Sequence, residues 1–259
     1  MNLSKIKLFL IDMDGTIYVD GAMIDGAMEA LDHIRKSGKQ LCFLTNNSSR
    51  SAAEYLEKLR KMGISADKNE IYTAGNATIA YLNENYAKKR VYLLGTRLLK
   101  QEFIQGGINL VNSNADVVVI GYDTELTYKK LCKATDFINC GATYICTHSD
   151  INCPHSPYFV PDVGSFIELI KASTGKKPEI VCGKPFKPMG DAVMKKFHLR
   201  PNEIAMVGDR LYTDIAFGNN NKFTSILVLS GETTSKMHIC SDIKADYEIN
   251  SISQLIKMI

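Results

Sequence analysis

Short apolar runs that end abruptly in polar, acid-bearing clusters recur along the chain, each separated from the next by a stretch with helical spacing. Residues 7–11 read as a buried strand and Ala27–Lys36 as a helix ended by Gly38. Residues 40–44 read as the next strand, and residues 50–62 carry apolar side chains at helical spacing as far as Gly63. Such a strand–helix alternation predicts a parallel sheet with helices on its faces. The pattern returns late, with strands over 179–182, 204–207 and 225–229, a helix over 189–197 and a short closing helix over 252–259. Between these halves lies a second alternation. Its strands are 90–94, Val117–Ile120 and 143–147, and its helices are Tyr128–Asn139 and 165–172. The expected class is therefore α/β, a doubly wound parallel sheet over residues 1–78 plus 179–259, with an α/β domain over 79–178 inserted into it.

Composition narrows the function classes. The chain has 259 residues, 45% hydrophobic and 23% charged, which is ordinary for a globular protein and excludes disorder or a collagen-like repeat. Lys and Arg number 31 against 28 Asp and Glu, a net charge of +3 with no basic tract suited to nucleic acid. There is no run of about 18 apolar residues, so no membrane span is expected. The apolar run over residues 6–11 is too short for a signal-peptide core. Seven cysteines occur without a CxxC pair, and Cys42 and Cys182 sit inside apolar runs, which points to a reducing, cytoplasmic setting.

Four polar clusters follow predicted strands of the outer sheet, and in open parallel sheets ligands bind beyond the carboxyl ends of strands. The first is Asp12-Met13-Asp14-Gly15-Thr16. Two acids directly after a buried strand are costly unless a cation or partner compensates, and Gly15 permits a sharp turn. The second, Thr45-Asn46-Asn47-Ser48-Ser49, offers a hydroxyl and amides suited to phosphate oxygens, or equally to capping the next helix. Gly183-Lys184-Pro185 places one positive charge at the sheet edge. Gly208-Asp209-Arg210 with Thr213-Asp214 adds two more acids. A hard cation such as Mg²⁺ takes oxygen ligands, which Asp12, Asp14 and Asp209 could supply.

Taken together, these clusters resemble the four motifs of the haloacid dehalogenase superfamily, and specifically its NagD-like branch. The resemblance rests on DMDGT at 12–16, LTNNS at 44–48, CGKP at 182–185 and GDRLYTD at 208–214, with a large insertion between the second and third. It implies a Rossmann-like core with an inserted α/β cap that closes over the sheet edge, and a Mg²⁺-dependent phosphatase. In such a protein Asp12 is the nucleophile and Asp14 the general acid and base. Mg²⁺ is held by the Asp12 carboxylate, the Asp14 backbone carbonyl and Asp209, with Asp214 bracing the metal waters or Lys184. Thr45, the Asn46 backbone and Lys184 hold the phosphate. The expected partner is a small phosphorylated metabolite, a sugar phosphate or nucleotide, with aryl phosphates also accepted.

The cap segment expected to face substrate is residues 146–154, with His148, Asp150 and Asn152 as candidate specificity residues. Many relatives carry Asn where His148 stands. Cys146, His148, Asp150, Cys153 and His155 form an alternative metal-ligand cluster, although their spacing matches no common zinc site. Two other functions stay open: a phosphomutase or phosphotransferase of the same superfamily, and a non-catalytic phosphate-binding regulator. Oligomeric state, including a homo-oligomer, is not legible in the sequence.

Overall fold

The computed structural model describes residues 3–155 and 158–259, without the side chain of His155. The chain begins with β1 (Leu8–Ile11), the hairpin β2 (Tyr18–Val19) and β3 (Ala22–Met23), then α1 (Ala27–Lys36) and β4 (Gln40–Thr45). There follow α2 (Ala52–Lys61), β5 (Ile71–Thr73), α3 (Ala74–Asn85), β6 (Val91–Leu94), α4 (Arg97–Gln105) and β7 (Val117–Ile120). Next come α5 (Tyr128–Asn139), β8 (Thr143–Cys146), the antiparallel pair β9 (Asn152–His155) and β10 (Tyr158–Pro161), α6 (Val163–Thr174) and β11 (Ile180–Val181). The chain ends with α7 (Lys187–Phe197), β12 (Ile204–Gly208), α8 (Ala216–Asn221), β13 (Thr224–Val228), α9 (Ser235–Cys240) and β14 (Tyr247–Ile249).

Two compact units result. The first comprises Met1–Thr45, Ala52–Tyr72 and Lys184–Ile259; the second comprises Asn46–Ser51 and Thr73–Gly183. The first is built on a six-stranded sheet in the order β14-β13-β12-β1-β4-β5. β1 runs parallel to both β12 and β4, and β13 is parallel to β12 and β14. Along β1, side chains alternate between faces. Phe9 and Ile11 join Ala30, Leu31 and Ile34 of α1 and Leu59 of α2 in one buried cluster. Elsewhere in this unit α7 packs on α8, which lies along β12 and β13. This is the doubly wound, Rossmann-like arrangement expected from strands that are apolar throughout.

The second unit has its own sheet, β11-β8-β7-β6, parallel at every pair. Tyr92, Val118, Ile120 and Tyr144 pack with Ala134 and Ile138 of α5 and Ile167 and Ile170 of α6. Residues of opposite parity, among them Leu93, Val117, Val119 and Ile145, pack with Leu82 of α3 and Leu99 and Phe103 of α4. The unit is therefore a helix–sheet–helix sandwich with two cores of its own.

The division differs from the expected boundaries in three places. Residue 79 falls within α3, so the chain leaves the first unit earlier, at Tyr72. The loop Asn46–Ser51 belongs to the second unit, where Ser48 Oγ accepts from Tyr122 N–H at 2.9 Å and lies 3.0 Å from Thr147 Oγ1. The strand expected over 179–182 pairs with β8 rather than joining the large sheet. The closing segment Ile252–Lys257 is a 3₁₀ turn rather than an α-helix, with Ile252, Leu255 and Met258 buried. Their spacing of three matches the eclipsed 3₁₀ repeat. Among the described residues no helix is long and apolar enough to cross a membrane.

Candidate active site

Register brings the acids of the first unit to one edge. Ile11 lies opposite Phe43 of β4 and Val207 of β12, so the residues just beyond these strands share the carboxyl end of the sheet. Asp12 N–H continues the ladder, donating to Val207 O at 2.9 Å. Thr45 ends β4, and Asp209 follows Gly208 at the end of β12. Asp214 enters the same edge from a single π turn over Leu211–Ile215, an irregularity frequent at functional sites. Carboxylate oxygens of Asp12, Asp209 and Asp214 all lie within 4.8 Å of one another.

Three like charges so close require compensation, and one source is Lys184. Its ammonium donates to Asp12 Oδ1 and to Asp214 Oδ1, each at 2.6 Å, with Leu44 O at 3.4 Å. Burial works against the Lys184 charge, but Asp12 and Asp214 outweigh it and hold the pKa above the ordinary lysine value. Burial pushes Asp12 well above the usual carboxylate range, with Lys184 pulling it back and the Asp214 and Asp209 charges adding to the rise. Asp214 is doubly engaged, since its Oδ2 also accepts from Arg210 N–H at 3.1 Å. Both of its carboxylate oxygens are therefore engaged.

Asp209 is satisfied on one side only. Oδ2 accepts from Glu232 N–H at 2.7 Å, whereas Oδ1 is buried with no hydrogen-bond partner among the described residues. Burial, then the Asp214 charge, pushes its pKa up to about 6, against the opposing pull of the Glu232 N–H and Arg210. A buried carboxylate with one unpaired oxygen, clustered with two further acids, is the donor set a hard divalent cation takes, so the residues present fit Mg²⁺. Three glycines make the crowding possible. A Cβ at Gly15 or Gly231 would overlap Asp209 Oδ2, and one at Gly208 would overlap the Asp214 carboxylate. Gly15 also holds a φ of +82°, which completes the turn after Asp14.

The Asp14 carboxylate stands apart from this cluster. Its side chain is 61% exposed, accepts from Tyr18 Oη at 3.1 Å on Oδ2, and lies 3.9 Å from Lys58 Nζ on Oδ1. The converging carboxylates are those of Asp12, Asp209 and Asp214, and Asp14 is expected to join the metal set through its backbone carbonyl rather than its side chain. Asp14 can enter such a set only through its backbone.

The second unit places the remaining candidates. Asn46 Nδ2 donates to both carboxylate oxygens of Asp150, at 3.1 and 3.2 Å. Gly183 N–H donates to Thr147 O at 2.6 Å, and a Cβ there would press on Asn46 and Thr147, which explains a glycine before Lys184. His148, expected to face substrate, makes two contacts within its own unit. Nδ1 lies 3.0 Å from Thr147 Oγ1 and Nε2 2.9 Å from Asp162 Oδ1, the oxygen that also caps α6 through Val163 N–H. Both ring nitrogens are thus engaged. Asn152 lies on the exposed β9. The alternative cluster of Cys146, His148, Asp150, Cys153 and His155 does not assemble among the described residues. Cys146 is buried in the Tyr92–Ile170 core, His148 is engaged as above, and the side chain of His155 lies outside the described residues.

Motif reasoning misses Tyr18, Lys58 and the loop after β13, where Ser230 Oγ donates to Gly15 O at 2.8 Å and Glu232 holds Asp209. Only the spacing of Tyr18, four residues after Asp14 on a tight turn, carried a signal.

A doubly wound sheet with this edge constellation defines a class, and the comparisons agree. Residues 9–109 match the haloacid dehalogenase-like hydrolase family and residues 181–255 a second family of the same hydrolase type. The chain is 33% identical to the acid sugar phosphatase of Staphylococcus aureus strain MRSA252, over 98% of each chain. It therefore belongs to the haloacid dehalogenase-like hydrolases. Among solved structures it is similar to the 4-nitrophenylphosphatase of Thermotoga maritima, with a TM-score of 0.95, 42% identity and 98% of each chain covered. It is also similar to the glycerol phosphate phosphatase of Mycobacterium tuberculosis in complex with magnesium, with a TM-score of 0.92, 27% identity, and 98% of this chain and 78% of that one covered. Within the family it falls among the NagD-like phosphatases.

Proposed function

We propose that the protein is a Mg²⁺-dependent phosphatase of small phosphomonoesters, with sugar phosphates the favoured class, acting through an aspartyl-phosphate on Asp12. The observation that carries this reading is the convergence of Asp12, Asp209 and Asp214 around Lys184 with Asp209 Oδ1 left unpaired. The acid sugar phosphatase relative supports the sugar-phosphate class.

Mg²⁺ would be held by the Asp12 and Asp209 carboxylates and the Asp14 backbone carbonyl, and when bound would neutralise charge on the transferring phosphoryl group. The Asp12 carboxylate attacks phosphorus, forming a P–O bond as the bond to the leaving oxygen breaks. Asp14 gives its proton to that oxygen. Water then attacks the phosphorus, passing a proton to Asp14, and the bond to Asp12 breaks to release inorganic phosphate. Lys184, pinned by Asp214, steadies Asp12 and the phosphoryl oxygens. The Thr45 hydroxyl and the N–H of Asn46, next along the chain, hold the same oxygens. The seven free cysteines suit a reducing compartment, the cytoplasm.

Purified protein should release phosphate from 4-nitrophenyl phosphate and from a panel of sugar phosphates, lose that activity in EDTA and regain it with Mg²⁺. Asp12→Asn should abolish both turnover and the acid-stable, hydroxylamine-labile phosphoprotein. Full activity in EDTA, or an undiminished phosphoprotein in the variant, would overturn the reading. Transfer of phosphate to a sugar in place of release to water would favour a mutase.

A further inference from the structure

We infer that Tyr18 and Lys58 are positioning residues for Asp14, tethering one carboxylate oxygen so that the other is presented to the leaving group. The inference rests on the reading of Asp14 as general acid and adds two residues that no motif supplies.

Donor chemistry fixes the direction of the contacts. Lys58 Nζ lies 2.7 Å from Tyr18 Oη and 3.9 Å from the centroid of its ring. An ammonium only donates, so Tyr18 Oη accepts from it. The single phenolic proton is then free to point at Asp14 Oδ2, 3.1 Å away. Burial, and behind it the Asp14 charge, holds the phenol far above its ordinary pKa, so it keeps that proton. Lys58 lies 3.9 Å from Asp14 Oδ1, a distance that leaves this oxygen without a close partner in the chain Lys58–Tyr18–Asp14.

The tether is anchored on a rigid part. Tyr18 is fully buried on β2 within the core that holds Phe9 and Leu59. Its carbonyl accepts from Gly15 N–H at 2.8 Å, and Met13 O accepts from Ile17 N–H at 2.9 Å, so Asp14 and Tyr18 close one tight turn. An exposed aspartate without such a link hops between rotamers on the picosecond-to-nanosecond scale. With Oδ2 accepting from Tyr18, the proton of the acid form sits on Oδ1, because the carbonyl-type oxygen is the better acceptor. As Asp12 forms its bond to phosphorus and the bond to the leaving oxygen breaks, that proton passes from Oδ1 to the leaving oxygen.

Tyr18→Phe keeps the buried ring and removes only the hydroxyl, and Lys58→Met keeps the aliphatic stem. The test is kcat/KM of the Mg²⁺-loaded protein for an alkyl phosphate and for 4-nitrophenyl phosphate, whose leaving group needs little protonation. Tyr18→Phe should lower the alkyl value about tenfold and the nitrophenyl value less than about twofold, a loss of orientation rather than of the acid itself. Lys58→Met should act in the same direction and add little in the Tyr18→Phe background, since both act through one contact. Equal losses on both substrates, or none on the alkyl phosphate, would overturn the inference. Asp14→Asn measured alongside separates the two claims. If it shows the leaving-group-dependent loss and Tyr18→Phe does not, only the positioning role fails. If Asp14→Asn shows none, the acid assignment fails and the positioning role with it.

Discussion

Asp209 carries an electrostatic load in the metal-free protein, and Asp209→Asn measures that load. Oδ1 is buried and unpaired among the described residues, Oδ2 accepts from the Glu232 N–H, and two other carboxylates share its site. A pKa pushed up to about 6 from an ordinary value near 3.9 corresponds to about 3 kcal/mol. The folded protein keeps this proton at pH values where the unfolded chain has lost it. The stabilisation is therefore fully present below about pH 4 and is lost as pH rises through about 6. At pH 7.5 the metal-free wild type carries the whole penalty. Asp209→Asn removes the charge, keeps an acceptor for Glu232 N–H and turns an amide donor toward the neighbouring carboxylates. In EDTA at pH 7.5 the variant should melt higher, by up to about 3 kcal/mol or about 6–12 °C for a chain of this size. That gain should shrink below pH 6 and vanish near pH 4. Added Mg²⁺ should close most of that gap, because an ion at 100 times its Kd stabilises the wild type by about 2.7 kcal/mol and has lost a ligand in the variant. Calorimetry or dye-monitored melting at pH 4, 6 and 7.5, with EDTA and with Mg²⁺, covers all of these. A variant that melts no higher than wild type in EDTA at pH 7.5, or one that Mg²⁺ stabilises equally, refutes the argument.

Two further substitutions probe the surroundings of the same acids. Gly231→Ala places a Cβ on Asp209 Oδ2 in a residue whose backbone φ is not in the left-handed region, so it displaces the carboxylate without backbone strain. Mg²⁺ affinity by titration calorimetry should fall about 10–100-fold, and unchanged affinity would show that the loop after β13 does not set Asp209. Lys184→Ala strands Asp12 and Asp214 without their shared cation and should cost about 3–5 kcal/mol at pH 7.5 by denaturant unfolding in EDTA. The deficit should narrow on acidification as the carboxylates take up protons, and a deficit independent of pH would place its origin in packing instead.

Much of this site was legible because its parts are local in sequence. The acids stand directly after strands whose side chains are apolar on both faces, and a residue at the end of such a strand has only the sheet edge to occupy. Asp12, Thr45 and Asp209 could be placed in that way before any contact was known. What could not be read depends on pairings between distant segments. A two-residue strand such as Ile180–Val181 carries no mark of the sheet it joins, and its place beside β8 is decided by the core formed around Ile145 and Cys182. α3 begins Ala-Gly-Asn-Ala and lacks an apolar stripe, so its helical state follows from the Thr73 cap and from packing of Leu82 rather than from periodicity. β9 and β10 are short and exposed, and neither alternation nor burial announces them. The same limit explains His148. Sequence order puts it in a loop after a strand, a position that suits a ligand. Whether its nitrogens are free depends on Asp162, fourteen residues further along at the start of α6. Tyr18 and Lys58 lie forty residues apart, and nothing in either segment alone indicates that they meet at Asp14. Motifs thus report the groups that do the chemistry, whereas the groups that aim them are set by tertiary packing, where one hydroxyl or one missing Cβ decides the geometry.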